Sequence, residues 1–228
     1  MTTDYLVPRI YHFRPDKDDR DLETALESSL YFASVDSFND PFECSASTSA
    51  DANHYWNNSL DSLRQAVSSS GVCCFCRSFS NPLLWSHYAD SHTGFALGIS
   101  RPALEERFRP INVRDVLYED AVPSLDDFGW MDMSLVMLCT KPTCWSYEQE
   151  VRVIRTHGDN ETVGKGKLDP TAIREVIFGL SMSEERRKTF VDRFRSHGDF
   201  DHIKFAAMEK VEGRYGVQRV WLTTEVSR

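Results

Sequence analysis

The segment Trp145–Thr156, WSYEQEVRVIRT, says most about this chain. Polar and apolar residues alternate along it, so a strand is predicted over 145–156. A period of two sends Tyr147, Gln149, Val151, Val153 and Arg155 to one face. Glu148, Glu150, Arg152 and Ile154 take the other. That second face carries two carboxylates and a guanidinium in a row. If it packs into a core, each charge needs a partner. If it lines a cleft, one carboxylate accepts from a substrate hydroxyl or orients a nucleophile. The other then holds a cationic or ribose-bearing group, and Arg152 pins a phosphate. The plainer reading is a solvated outer face with a Glu–Arg ladder.

Around this segment short strands alternate with helices. Strands are expected at 9–14, 30–34, 71–76, 94–100, 113–119, 173–180, 203–208 and 217–223. Leu22, Ala25, Leu26 and Leu30 repeat with helical spacing, and Asp18 or Asp21 is placed to cap that helix. Further helices are expected over 51–69, 102–108 and from Ser181 or Ser183 to His197. One or two helical turns fall within 83–92, and a helix or irregular lid ends near Met137. The stretch 158–167, GDNETVGKGK, reads as a hairpin or loop. The pattern is α+β: a single domain over residues 1–228 with short-stranded mixed sheets and peripheral helices.

The chain has 228 residues, is 41% hydrophobic and carries a formal charge of −9. A chain of this length buries about 70% of the surface its unfolded form exposes, so a core needs no metal or disulfide. The acidic balance argues against a broad nucleic-acid surface. Charges interrupt every apolar stretch before the ~18 residues a membrane span requires. No signal peptide is visible, since Asp4 and Arg9 interrupt the first residues. Cys73, Cys74 and Cys76 crowd together, a spacing unlike a secreted disulfide framework, so a reduced cytoplasmic protein is expected.

Three segments hold candidate chemistry. Glu148, Glu150 and Arg152 form the first. In the second, helical spacing groups Trp85, Tyr88 and His92 on one face. Its rings suit stacking, and His92 suits proton transfer or a phosphate contact. His87 lies alongside. The plainer reading is a packed aromatic helix. The third, Asn39-Asp40-Pro41-Phe42-Glu43, is a rigid polar turn that shapes a cleft wall or closes on itself as an Asx turn. No metal site is expected: the cysteine cluster lacks the paired spacing of zinc ligands. GKGK at 164–167 lacks the spacing of a phosphate-binding loop. Arg186-Arg187-Lys188, beside Glu184 and Glu185, reads as a solvated helix face.

Four groups of residues together resemble a known family: Ile10-Tyr11-His12-Phe13; Leu30–Ser34 followed by Phe38–Glu43; Cys74-Phe75 with Asn81–Asp90 and His92-x-Gly94; and Lys141, Trp145 and Glu148-x-Glu150-x-Arg152. They resemble a bacterial family known only as a domain of unknown function, DUF2971. The resemblance spans nearly the whole chain and implies no activity. A weaker pattern is similar to ADP-ribosyltransferases, which bind NAD in a cleft between two small sheets. His12, Tyr31 with Ser34, and Glu150 fall in the chain order of that family's site, and Glu148-x-Glu150 looks like the paired glutamates of some members. This resemblance implies a split sheet and NAD as the nucleotide bound. It implies that His12 and Ser34 hold the adenosine-side ribose, and that Tyr31, Trp85 or Tyr88 stacks on the nicotinamide. Glu150 would stabilise the cationic ribosyl centre, Glu148 would orient an unidentified acceptor, and Arg152 or His92 would hold the diphosphate. Two other readings stay open. One is a non-catalytic protein of a defence or toxin system that binds a nucleotide, peptide or nucleic-acid end. The other is a Mg²⁺-dependent hydrolase using Asp40, Glu43, Glu148 and Glu150.

Overall fold

The computed structural model describes residues 7–47, 54–109, 112–124, 126, 130–156 and 162–223, with the backbone alone for 54–59 and 130–132. The first residues of the helix expected at 51 and part of the loop expected over 158–167 lie outside the described residues. The elements in chain order are β1 (Arg9–Arg14), α1 (Arg20–Leu26), β2 (Ser29–Ser34), α2 (His54–Ser68), β3 (Gly71–Cys76), α3 (Pro82–Tyr88), β4 (Phe95–Ser100), α4 (Arg101–Phe108), β5 (Val113–Asp115), β6 (Leu117–Tyr118), α5 (Trp130–Leu138), β7 (Thr140–Lys141), β8 (Glu150–Arg155), β9 (Gly164–Lys167), β10 (Ile173–Phe178), α6 (Glu184–Ser196), β11 (Lys204–Lys210) and β12 (Val217–Trp221). The chain divides into two compact units. The first comprises Met1–Leu30, Phe75–Arg107 and Lys167–Arg228, and the second Tyr31–Cys74 and Phe108–Gly166. The chain leaves the first unit within β2 and returns to it within β3.

In the first unit the strand order is β12-β11-β10-β4-β1. Only β10 and β11 run parallel; the other pairs are antiparallel. Strand β4, FALGIS, is buried at every position, as a continuous apolar run requires when both faces are covered. Phe190 and Phe194 of α6 pack edge-on against Phe95, Phe178 and Phe205 of the sheet. Ser183 caps α6 by accepting from the Arg186 N–H, and Asn81 caps α3 by accepting from Leu83. At α1 the expected cap is absent. Asp19 holds the cap position in a left-handed conformation and its side chain caps nothing. Its carboxylate, with that of Asp16, instead binds Arg186. Arg186 is therefore an anchor for the 16–19 turn rather than part of a purely solvated face. Within the sheet, Glu175 of β10 lies opposite Gly98 of β4. A Cβ at Gly98 would stand 2.4 Å from Glu175 Cγ, so the glycine makes room for a wholly buried carboxylate. Arg219 Nη1 at 2.6 Å and Arg9 Nη1 at 3.6 Å supply its counter-charge.

In the second unit the order is β9-β2-β3-β8-β5, with β6 and β7 as a separate two-stranded parallel ladder. Helices α2 and α5 pack over it through Leu63, Val67, Met133 and Met137, together with Val72 and Ile154 of the sheet. A Cβ at Gly71 would stand 1.7 Å from the Thr162 carbonyl oxygen; only glycine admits that approach at the start of β3.

Both units mix strands with peripheral helices, as the sequence suggested. Among the described residues neither contains a sheet split into two halves, the arrangement implied by the ADP-ribosyltransferase pattern. The reason lies in the pairing: in each unit every long strand finds a neighbour in one ladder. The strand expected over 113–119 is broken at Val116, whose N–H is drawn to the Glu150 carbonyl. The strand expected over 145–156 begins only at Glu150. Residues Thr143–Glu148 form a 3-10 turn, and Gln149 is left-handed at φ 47°. Pro142 opens that turn and pre-sets its direction. No helix among the described residues is long and apolar enough to cross a membrane.

Candidate functional site

The charged residues of the decisive segment meet in the core of the second unit. Lys141 lies in β7, which is held in place by bonds from Leu117 N–H to the Cys139 carbonyl and from Glu119 N–H to the Lys141 carbonyl. The chain then turns through 143–148 and reverses at Gln149. The carboxylates on either side of that residue both reach Lys141. Its Nζ donates to Glu148 Oε2 at 2.7 Å and Glu150 Oε2 at 3.2 Å. Arg152 grips Glu150 with a two-pronged bond of 2.8 and 3.1 Å. Its Nη1 donates to the Leu138 carbonyl at 2.6 Å and stands 2.5 Å from Glu43 Oε1. Tyr118 joins by accepting from the Glu150 N–H at 2.7 Å.

Glu148, Glu150, Lys141 and Arg152 are each no more than 5% exposed. The solvated outer face considered above is thus overturned: the ladder exists, but inside the core. Three carboxylates face two cations. Buried charges on this scale persist only with close geometry and full hydrogen bonding. The titration shifts follow from the contacts. Burial opposes the charge of Glu150, but Arg152 and Lys141 outweigh it and hold the carboxyl below its ordinary value. Burial likewise opposes the Lys141 ammonium, and Glu150 and Glu148 outweigh it and raise its pKa. Glu43 behaves differently. Burial raises its pKa, and the pull of Arg152 does not fully offset that. The Cys74 thiol, desolvated beside Glu150, is pushed well above its ordinary value.

Glu43 also borders a cavity of ≈ 460 Å³ in the second unit, a volume within the usual range for small-molecule sites. Asp36, Asp40, Arg64, Ser45 and Ser68 supply its other polar groups, and Val35, Phe38, Val67 and Met137 its apolar wall. The turn 39–43 closes as an Asx turn, with Asp40 Oδ1 accepting from Phe42 N–H at 3.0 Å. That structural role leaves Asp40 and Glu43 on the cavity wall, while Asn39 is exposed.

Ser34 and Tyr31 also belong to the second unit. The Ser34 hydroxyl accepts from the Asp36 N–H and donates to the Ser68 carbonyl. Tyr31 is exposed. His12, Trp85, His87, Tyr88 and His92 belong to the first unit. The His12 ring lies against Phe75. Trp85 is wholly buried, edge-on to Phe13, with its indole N–H on the Phe79 carbonyl. The face expected to carry Trp85, Tyr88 and His92 together does not form as a helix. α3 stops at Tyr88, and Asp90, Ser91 and His92 all have positive φ, a turn that closes by bonds back onto Trp85, Ser86 and Ala89. His92 Nε2 meets Ser86 Oγ at 3.1 Å, and burial lowers its pKa. His87 is exposed and stands near Tyr88.

Lys141 and Tyr118 were not among the residues expected to act, although both complete the network. A lone lysine after an apolar helix carries no periodic signal; only its place in the family pattern marked it. Among the described residues, no group of three or more His, Cys, Asp or Glu side chains is arranged to hold a metal ion. The carboxylates that do converge surround Lys141 and Arg152. No curated protein and no solved structure matches the chain. Residues 84–153, from α3 to Arg152 and its neighbour, match the family described as "Protein of unknown function (DUF2971)".

Proposed function

We propose that this protein handles a nucleotide, with the cavity of the second unit as its ligand site and Glu43 as the carboxylate that faces the ligand. One observation carries the reading: Glu43 ends the buried ion chain at Arg152 and also lines the cavity. Lys141, Glu148, Glu150 and Arg152 then form the charged frame that orients Glu43. The concrete form of the reading is transfer of ADP-ribose from NAD to an acceptor. In that reaction a carboxylate stabilises the cationic ribosyl centre as the nicotinamide leaves. The glutamate pair 148/150 and its likeness to ADP-ribosyltransferases support the class. Burial of Glu150 moves the ligand-facing role to Glu43, and Arg64 is the cation available to a phosphate.

The saturation of Glu148 and Glu150 by Lys141 and Arg152 favours a second reading, in which the same cavity binds a nucleotide without reacting with it. Titration calorimetry with NAD, followed by mass spectrometry for released nicotinamide, separates the two. Binding with release supports transfer or hydrolysis, and binding without release supports the second reading. Absence of binding at millimolar NAD overturns both.

A further inference from the structure

We infer that Ser86 and His92 of the first unit form a nucleophile–base pair that takes an acyl group from an activated carboxylic ester. The inference goes beyond the nucleotide reading and does not depend on it, since the cavity belongs to the second unit. Ser86 Oγ and His92 Nε2 stand 3.1 Å apart, and their contact is exposed. At that reach an imidazole can take a hydroxyl proton. The backbone is bent to bring the two together. Asp90, Ser91 and His92, three consecutive residues other than glycine, have φ of 47°, 54° and 72°. Such strain persists only where neighbouring contacts impose it, and it gathers at functional sites. Here the His92 N–H donates to the Trp85 carbonyl at 3.1 Å, and the His92 carbonyl accepts from the Ser181 N–H at 2.9 Å. A Cβ at Gly179 would stand 2.1 Å from the same carbonyl oxygen, so glycine admits the close approach. These contacts hold the imidazole beside Ser86. Burial lowers the pKa of the ring, which leaves it neutral at neutral pH, the form that acts as a base. Its Nδ1 is enclosed and has no hydrogen-bond partner among the described residues, so Nε2 is the nitrogen that exchanges protons with a substrate. Ser86 Oγ also lies 3.1 Å from the Pro82 carbonyl oxygen, and its one proton therefore has two acceptors. With the ring proton on Nδ1, the hydroxyl turns to His92. Nε2 then takes the Ser86 proton as Oγ attacks. The bond from Oγ to the acyl carbon forms, the bond from that carbon to the leaving oxygen breaks, and Nε2 returns the proton to the departing oxygen. Water repeats the exchange and frees the acid. Leu83, one turn earlier on α3 and 47% exposed, offers a short acyl chain an apolar contact.

Diisopropyl fluorophosphate on the whole chain tests the pair, because its adduct is stable: the Oγ–P bond forms, fluoride leaves, and the Ser86 proton departs through His92. Peptide mapping by mass spectrometry follows each serine. Ser146 and Ser181, also exposed, serve as controls within the same molecule. The expected result is an adduct on Ser86 that forms faster than on either control. The labelled chain should also lose its release of nitrophenolate from 4-nitrophenyl butyrate. His92→Gln should slow Ser86 labelling by about 100-fold or more, the scale of a positioned general base. The labelling rate of the wild-type chain should rise with pH to a plateau, with a midpoint below histidine's ordinary value of about 6.5. Labelling of Ser86 no faster than of Ser146 and Ser181 overturns the inference. So does nitrophenolate release that the adduct leaves unchanged, or an undiminished rate in a folded His92→Gln. If that variant fails to fold, the wild-type profile decides: a rate that climbs steadily with hydroxide and shows no plateau overturns the inference as well. NAD binding is not a readout of this experiment, so its outcome leaves the nucleotide reading to its own test.

Discussion

Lys141→Met tests the buried network most directly. The substitution keeps an unbranched stem and removes an ammonium that stands 2.7 Å from Glu148 Oε2 and 3.2 Å from Glu150 Oε2. Glu150 retains the two-pronged grip of Arg152, so the loss falls chiefly on Glu148, which is 2% exposed. Removing one partner of a buried ion pair costs about 3–5 kcal/mol, because the other charge stays buried and uncompensated. In a chain of this size each kcal/mol lowers Tm by about 2–4 °C. The expected drop is therefore roughly 6–20 °C by differential scanning calorimetry. The pH dependence has a definite sign. Burial opposes the Lys141 ammonium, but Glu150 and Glu148 outweigh it and raise its pKa, so its contribution is fully present below the unfolded pKa and is lost as pH rises through the folded one. The penalty of Lys141→Met should then persist at neutral pH and shrink only in strong base. Adding Glu148→Gln removes one of the two carboxylates that lose the ammonium and should restore part of the loss. A drop under about 1 kcal/mol, the scale of an exposed pair, would refute the reasoning. A double variant no more stable than the single one would refute it equally.

Glu150→Gln should lower stability by more than about 1 kcal/mol through the loss of charge-assisted bonds to Arg152 and Lys141, while Gln149→Ala, at an exposed position, should stay within about 0.5 kcal/mol; paired urea melts compare them. Because the Glu150 carboxyl is depressed in the folded state, its contribution is present above the unfolded pKa and fades as pH falls through the folded one, so the gap between wild type and Glu150→Gln should narrow in acid. Glu175→Gln in the first unit should destabilise by about 3 kcal/mol or more, since Arg219 and Arg9 then lose a wholly buried counter-charge; a change under 1 kcal/mol sinks that assignment. With iodoacetamide at pH ~8, peptide mapping should find exposed Cys144 modified first. Cys74, Cys44 at about 12 and Cys139 at about 11 should lag, because burial pushes their thiols up and the thiolate is the reactive form.

Much of the local structure was legible because it rests on neighbours in sequence. The strand at 9–14 and the Ser183-capped helix emerge where expected, from alternation and from a side-chain oxygen placed before a helical run. The segment 145–156 was legible only in part. Alternation implied that Glu148 and Glu150 share a side, and they do meet at Lys141. They meet through a 3-10 turn and a left-handed Gln149 rather than along one strand. Asp19 shows the same limit. Capping chemistry points to Asp18 or Asp21, yet Asp19 takes the cap position without capping, and Arg186, 167 positions away in the chain, holds its carboxylate.

Residue order alone determined which segments can pair or coil, that the chain can bury a core, and that charge sits on β8. Hydrophobic period and capping chemistry act within a few residues, so they are written locally. Whether Glu148, Glu150 and Arg152 face water or core was decided only by the tertiary structure. Periodicity fixes which side chains share a face but not what covers that face. The covering groups are Lys141 from β7 and Glu43 from the turn after β2, brought in by chain segments with no periodic relation to β8. Burial then converts an ordinary Glu–Arg row into a network whose charges are interdependent, because desolvation makes each one costly without the others.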